Sequence, residues 1–324
     1  MASIDRLVHE AYLYQSDDEL LGVLVPFLRE GQERGDAAIV DLDDRKTDLL
    51  RSELGPHAAD VEFVGGCSYT NPASAIREHV RRFESLVAVG EVRTIREVSE
   101  LPPTAMNGSW HAWRRYEAAI NVAFNDLPIW RICLFDRTTL PRDVVSDVLC
   151  THPRLTTPRG AHAANELYVQ PRQWLMELPL PLQYEVERTA PLVTLVNAAA
   201  RDARAAIAPL AEVLSAIDRD GLLVGVSEVV SNALAHGEPP VTLRAWASDD
   251  EVLVTVDDCG PGIDDPFAGL VVECRDMGAG GRGLWMAHQL CGDVALMNHS
   301  DGFRVRLVAG GTGTPRDFAT ASRS

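Results

Sequence analysis

Short apolar runs alternate with amphipathic stretches through the first half of the chain. Residues 12–14, 37–41, 61–64, 92–98 and 129–135 are apolar runs of strand length. Between them lie segments with helical start and stop signals. Ser16 and Glu19 have capping-box spacing and open a helix that ends near Gly31. Residues 46–54 form a second helix stopped by Gly55-Pro56, residues 73–89 a third ended by Gly90, and residues 108–125 a fourth. Such alternation predicts a mostly parallel sheet flanked by helices. From about residue 155 to 191 the pattern changes. Thr156-Thr157-Pro158-Arg159-Gly160 is followed by Pro171, Pro179, Pro181 and Pro191. Prolines at this density break regular elements and predict a connector. Past it, residues 193–206 are alanine-rich and read as helical, and residues 222–236 form an amphipathic helix. Strands follow at 240–246 and 252–257 around Ser248-Asp249-Asp250, then a short helix at 283–290. Strands at 294–297 and 303–308 meet at Asp301-Gly302, a hairpin signal. The tail from Gly310 is rich in Gly, Thr and Ser and reads as disordered.

The expected organisation is therefore an α/β domain at 4–154, a connector at 155–191, a second domain at 192–309 and a flexible tail at 310–324. A length of 324 residues with 46% apolar content supports two cores. The net charge of −17, from 47 acidic and 30 basic residues, argues against direct nucleic-acid binding, which needs a basic face. It serves solubility, and it suits small anions at a local site or a partner with a basic surface. No secretory signal is evident, and no apolar run approaches the roughly 20 residues of a membrane helix, so a cytoplasmic protein without membrane contact is expected. The six cysteines, Cys67, Cys133, Cys150, Cys259, Cys274 and Cys291, are scattered without a C-x-x-C pair. They signal no zinc motif and read as free, mostly buried thiols.

Chemistry concentrates in the second domain. Glu228 and Asn232 are four residues apart, so they lie one turn apart on one side of the 222–236 helix. An Asn oxygen can serve a magnesium ion, and a neighbouring Glu can orient or deprotonate a nucleophile near a phosphate. The strand at 252–257 runs into Asp258-Cys259-Gly260-Pro261-Gly262. A carboxylate at a strand end can accept the exocyclic amine of adenine, and glycines after it let backbone approach a flat ring. Further on, Gly278-Ala279-Gly280-Gly281-Arg282-Gly283 opens a helix through Leu284-Trp285-Met286. Exposed N–H groups at a helix start attract phosphate. No G-x-x-x-x-G-K-[ST] occurs, which excludes a Walker-type loop.

The order E-x-x-x-N-A-x-x-H-G, D-x-G-x-G, G-x-G-G-x-G-L resembles the N, G1 and G2 boxes of the GHKL ATPases, over about residues 192–308. Ser227-Glu228-Val229-Val230-Ser231-Asn232-Ala233-Leu234-Ala235-His236-Gly237 is similar to the S-E-x-x-x-N-A-x-x-H-G of bacterial anti-sigma-factor serine kinases, and Gly281-Arg282-Gly283-Leu284-Trp285 looks like their actinobacterial branch. The resemblance implies a GHKL (Bergerat) α/β sandwich that binds ATP and Mg²⁺. Asn232 would coordinate the Mg²⁺, Glu228 would be the general base, and Asp258 would hold adenine. Gly260, Gly262, Gly281 and Gly283 would shape the pocket, with Gly280, Arg282 and Leu284 in the same nucleotide-binding stretch. His236 either faces the phosphates or caps the helix before Gly237. Ala279 departs from the basic residue that relatives often carry just before the G2 glycines, which puts kinase strength in doubt; Arg275 or Arg282 would be the substitutes. The implied activity is that of a serine/threonine protein kinase and anti-sigma factor. Its implied partners are a sigma factor and a STAS-type anti-sigma-factor antagonist. The rival is an ATP-binding module that only sequesters its partner. A homodimer is compatible with the family, although no residue pattern argues for one. A two-component histidine kinase would need a phospho-acceptor histidine in a helical hairpin, and no H-E-[LIV]-R-like sequence precedes the ATP domain.

In the first domain, His9-Glu10-Ala11, Leu13-Tyr14, Asp17-Asp18-Glu19-Leu20, Pro26-Phe27-Leu28-Arg29-Glu30-Gly31, Arg34-Gly35-Asp36, Tyr116-Glu117, Cys133-Leu134-Phe135-Asp136 and Thr151-His152-Pro153 resemble the MEDS sensory domain. That family implies a RecA-type α/β sheet without its phosphate loop, and it names no ligand. Trp110, Trp113 and Tyr116 have helical spacing and read as core or interface. His9 and His152 could line a pocket, but they read first as hydrogen-bonded structural histidines.

Overall fold

In the computed structural model, residues 5–65, 71–88, 93–102, 110–178, 184–271 and 282–311 are described. The chain divides into two units, Met1–Glu177 and Leu178–Ser324.

The first unit is built on seven strands: β1 (Val8–Tyr14), β2 (Ala37–Asp41), β3 (Val61–Phe63), β4 (Ile95–Glu100), β5 (Ile129–Asp136), β6 (Arg154–Thr156) and β7 (His162–Ala164). Their order is β3-β2-β4-β5-β1-β6-β7. All pairs are parallel except β6 with β7. The crossovers are α1 (Asp17–Arg34), α2 (Asp44–Leu54), α3 (Pro72–Ala88), α4 (Trp110–Ala123) and α5 (Arg142–Thr151), with α6 (Pro171–Glu177) following β7. This is the mostly parallel α/β sheet that the alternation predicts. β1 is longer than the apolar run at 12–14, because the polar His9 and Glu10 continue the strand while fully buried. Only Gln15 and Ser16 separate β1 from α1, so a phosphate-binding loop has no room there. Ser16 caps α1 by accepting from the Glu19 N–H, and Glu19 in turn accepts from the Gln15 N–H. The first turn of α1 carries Asp17, Asp18 and Glu19. Those carboxylates satisfy the helix dipole and repel an anion.

Two buried arginines of this unit are paired. Arg131 donates twice to Glu97, at 3.0 and 2.8 Å. Arg96 donates to Asp36 at 2.9 Å and to the Phe27 carbonyl at 2.7 Å, and lies over the Phe27 and Trp130 rings. A buried guanidinium persists only with such partners.

The second unit is an antiparallel sheet of β8 (Val193–Val196), β9 (Thr242–Ala247), β10 (Glu251–Asp258), β11 (Asp293–His299) and β12 (Gly302–Gly310), in the order β11-β12-β10-β9-β8. Three helices, α7 (Ala200–Ile207), α8 (Ala216–His236) and α9 (Arg282–Leu290), cover one face. Period-two alternation sends Val252, Val254 and Val256 to that face, where they meet Val226, Val229 and Ala287. Leu253 points the other way and packs with Trp246, Val308, Val186 and Tyr184. This two-layer α/β sandwich has the GHKL form.

Two stretches differ from the sequence expectation. Residues 193–206 are a strand followed by a helix; Val193, Thr194 and Val196 favour the extended chain, and Asn197 at φ 50° ends it. Residues 155–191 are divided between the units. Strands β6 and β7 extend the first sheet, Pro171 begins α6, and the Tyr184–Thr189 segment lies on the outer face of the second. There Glu187 accepts from buried Arg306 at 2.9 Å, and Thr189 O accepts from Trp246 Nε1 at 3.2 Å. Proline tolerates a first helical turn, so a proline-rich stretch can still pack. Among the described residues no helix is long and apolar enough to cross a membrane.

Candidate functional site

Helix α8 starts at Ser215, whose hydroxyl oxygen accepts from the Asp218 N–H. Its buried stripe, Leu222, Val226, Val229, Val230 and Ala233, fastens it to the sheet. That anchoring turns Glu228 and Asn232 toward the start of α9. Neither side chain makes a hydrogen bond or ion pair among the described residues, and both are only partly exposed. Gly283, in the first turn of α9, is buried directly against them. A methyl group added there would stand 2.9 Å from Glu228 Oε2 and 2.9 Å from Asn232 Nδ2. Only a glycine lets the helix start come so close.

A cavity of about 230 Å³ opens beside this corner. Asn232, His236, Asp258, Gly262 and Leu284 line it together with apolar walls from Val229, Ile263, Phe303 and Val305. Asp258 ends β10 and is largely buried. Its Oδ1 accepts from the Gly260 N–H at 2.7 Å and from the Glu238 N–H at 3.4 Å. Among the described residues Oδ2 has no hydrogen-bond partner, so one oxygen fixes the carboxylate and the other is available to the pocket. Gly262 has φ 76°, a left-handed conformation, and any side chain there would collide with Asn298 Oδ1. Asn298 pins the following residue as well: it accepts from the Ile263 N–H at 3.3 Å and donates to the Ile263 carbonyl at 3.0 Å.

The described residues singled out in the sequence for a nucleotide site thus fall at or beside one corner of the second unit. Asn232, His236, Asp258, Gly262 and Leu284 line the cavity. Gly260 holds Asp258, Gly283 abuts Glu228 and Asn232, and Arg282 is the exposed first residue of α9. His236 is both the last residue of α8 and a lining residue. Gly280 and Gly281 lie outside the described residues, as do Arg275 and Ala279. Motif reading missed Phe303, Val305, Ile263 and Asn298, which reach the site through strand pairing and a side-chain clamp.

The residues present fit a magnesium-bound nucleotide. The cavity has apolar walls for a flat ring and one anchored carboxylate to read its edge. At its rim stand a carboxamide and a carboxylate, unpaired among the described residues, beside a helix N-terminus, where backbone N–H groups favour phosphate.

Residues 8–153 match the MEDS family, the methanogen/methylotroph DcmR sensory domain. Residues 191–309 match the histidine kinase-like ATPase domain. No curated protein matches the chain.

Proposed function

From a chain that joins a MEDS domain to a histidine kinase-like ATPase domain of the GHKL type, we propose a cytoplasmic regulator of the anti-sigma-factor serine-kinase kind. Its ATP domain holds a sigma factor and phosphorylates a Ser or Thr of a STAS-type antagonist, and its MEDS domain receives the controlling signal. The observation that carries this reading is the convergence of Glu228 and Asn232 on Gly283, beside a cavity lined by Asp258.

In this reading Asp258 accepts a hydrogen bond from the adenine amine, while Leu284, Ile263 and Phe303 exclude water from the ring faces. Asn232 holds the Mg²⁺ through its side-chain oxygen. Glu228 takes the proton from the acceptor hydroxyl, a role open to a carboxylate that no other described side chain occupies. Mg-ATP, when bound, supplies the phosphoryl group and the charge neutralisation that its transfer needs. Arg282, exposed at the start of α9, is the nearest described cation in sequence to the glycine stretch.

A second reading rests on Ala279, which stands where relatives often carry a basic residue. In it the domain binds ATP and sequesters its partner without transfer. A phosphotransfer assay on candidate antagonists separates the two. Phosphoserine or phosphothreonine product that disappears in Glu228→Gln, with nucleotide binding kept, supports the kinase. Full transfer in Glu228→Gln removes the base assignment. Nucleotide binding without product on an antagonist that the protein demonstrably contacts supports sequestration alone.

A further inference from the structure

The first unit holds a cluster of buried side chains that the ATP chemistry does not use. His9 comes from β1, Glu117 from α4, Cys133 from β5 and His152 from the end of α5. All four are at most 3% exposed. Their ligand-type atoms lie within 4.8 Å of one another.

The hydrogen bonds around the cluster fix which atoms face inward. Asn121 Nδ2 donates to the Glu117 and Thr151 carbonyls, so Asn121 Oδ1 must be the acceptor from His9 Nδ1, at 3.0 Å. His152 Nδ1 donates to the Val148 carbonyl at 2.8 Å. Both rings therefore carry their proton on Nδ1 and present a bare Nε2 lone pair to the centre. Among the described residues Glu117 Oε2 and His152 Nε2 are buried with no hydrogen-bond partner of standard geometry. Two imidazole lone pairs and a carboxylate converge here with the Cys133 thiol as the donor among the four, a surplus of acceptors that costs free energy unless a cation or shared protons fill it.

The spacing matches a metal ion. His9 Nε2 is 3.3 Å from Cys133 Sγ and 3.7 Å from Glu117 Oε2, and His152 Nε2 is 3.4 Å from the same oxygen. A tetrahedral zinc ion with bonds of about 2.0–2.3 Å places its ligand atoms roughly 3.3–3.8 Å apart. Burial pushes the Cys133 thiol up to about 12, so its proton would leave only in exchange for a cation; Arg131 Nε donates to Cys133 Sγ at 3.1 Å and would steady the resulting thiolate, while the rest of that guanidinium is committed to Glu97 and the Tyr116 hydroxyl. Charge also balances. Arg131 offsets Glu97, and a divalent ion would offset the Glu117 carboxylate and the Cys133 thiolate. The Nδ1–H bonds to Asn121 and Val148 O are the outer contacts that orient metal-bound histidines.

We infer that His9, Glu117, Cys133 and His152 form a closed four-ligand site for a divalent metal of the zinc class, tying β1, α4, β5 and the end of α5 together. Two imidazoles, one thiolate and one carboxylate are borderline donors that suit Zn²⁺ and its cobalt substitute better than Mg²⁺ or Ca²⁺. With no solvent-exposed ligand, the ion would be taken up as the chain folds and kept afterwards.

The test uses the full chain, produced in zinc- or cobalt-supplemented medium and dialysed against a chelator while folded. The expected result is about one metal equivalent per chain. X-ray absorption at the zinc edge should give one sulfur and three nitrogen or oxygen neighbours. The cobalt form should show an intense thiolate charge-transfer band that Cys133→Ser loses and Cys150→Ser keeps. Folded wild-type protein that retains neither metal overturns the inference and leaves a proton-sharing cluster. A zinc site without sulfur, or a thiolate band that survives Cys133→Ser, overturns it too. The zinc-edge measurement needs no variant, so a Cys133→Ser chain that fails to fold leaves the question decidable.

Discussion

The backbone N–H of Gly260 donates to Asp258 Oδ1 at 2.7 Å. This bond orients the carboxylate so that its second oxygen is available to the cavity. In Asp258→Asn the amide oxygen would keep the Gly260 bond and the amide nitrogen would take the place of Oδ2. A donor would then meet the amine donor of adenine. Loss of a hydrogen bond to a charged group is worth about 1.5–3 kcal/mol. ATP affinity should fall roughly ten- to a hundredfold with little change in melting temperature. Calorimetric titration checks this, and unchanged affinity would reject the adenine contact.

Gly283→Ala probes the other end of the site. The added methyl would press on Glu228 Oε2 and Asn232 Nδ2 at 2.9 Å. Either α9 retreats or both side chains rotate. Overpacking of this kind costs about 1–3 kcal/mol, and here it falls on the groups proposed to face the metal and the phosphates. Magnesium-dependent ATP binding should drop more steeply than the stability of the free domain. Equal affinity in wild type and variant, measured by the same titration, would show that this close approach does not matter for the nucleotide.

The first unit should be acid-sensitive through Glu10. This fully buried carboxylate meets His162 Nδ1 at 2.5 Å, Arg154 Nε at 2.7 Å and the Thr156 hydroxyl at 2.8 Å. Burial alone would raise its pKa, but the bonds from His162, Arg154 and Thr156 outweigh it and hold the carboxyl below its ordinary 4.5. A lowered folded-state pKa stabilises the fold above the ordinary value, and that stability is lost as pH falls through the lowered one. Glu10→Gln should therefore cost about 1–3 kcal/mol near neutral pH, and the gap to wild type should close as pH falls from the ordinary 4.5 through the lowered value. Urea unfolding of both proteins across this range measures it; a gap that widens in acid would contradict the assignment.

Much of this was legible in the sequence because it is local. The four-residue step from Glu228 to Asn232 settles their shared helix face, and Asp258 with its glycines marks a strand end. The apolar run at 129–135 shows β5 directly. What stayed hidden depends on pairing across the chain. Phe303 reaches the cavity because β12 pairs with β10, where it stands opposite Asp258. Asn298 reaches Ile263 across a loop. His9 and Glu10 look like the polar edge of a strand until their partners, His152 and Arg154, are placed beside them. The cluster of His9, Glu117, Cys133 and His152 has no short-range spacing at all, so a search for metal motifs passes over it. In residues 184–189, prolines nearby concealed a packed segment whose Glu187–Arg306 bond spans the length of the domain's sequence.

Asn232, Glu228, Asp258 and Gly283 form the corner proposed to hold Mg-ATP. Isothermal titration of the full chain with ATP and Mg²⁺, beside Asn232→Ala, tests it most directly. Magnesium-dependent binding is expected in the wild type, and Asn232→Ala should abolish it while keeping its fold. Equal binding in both, or none in a folded wild type, would contradict the proposal.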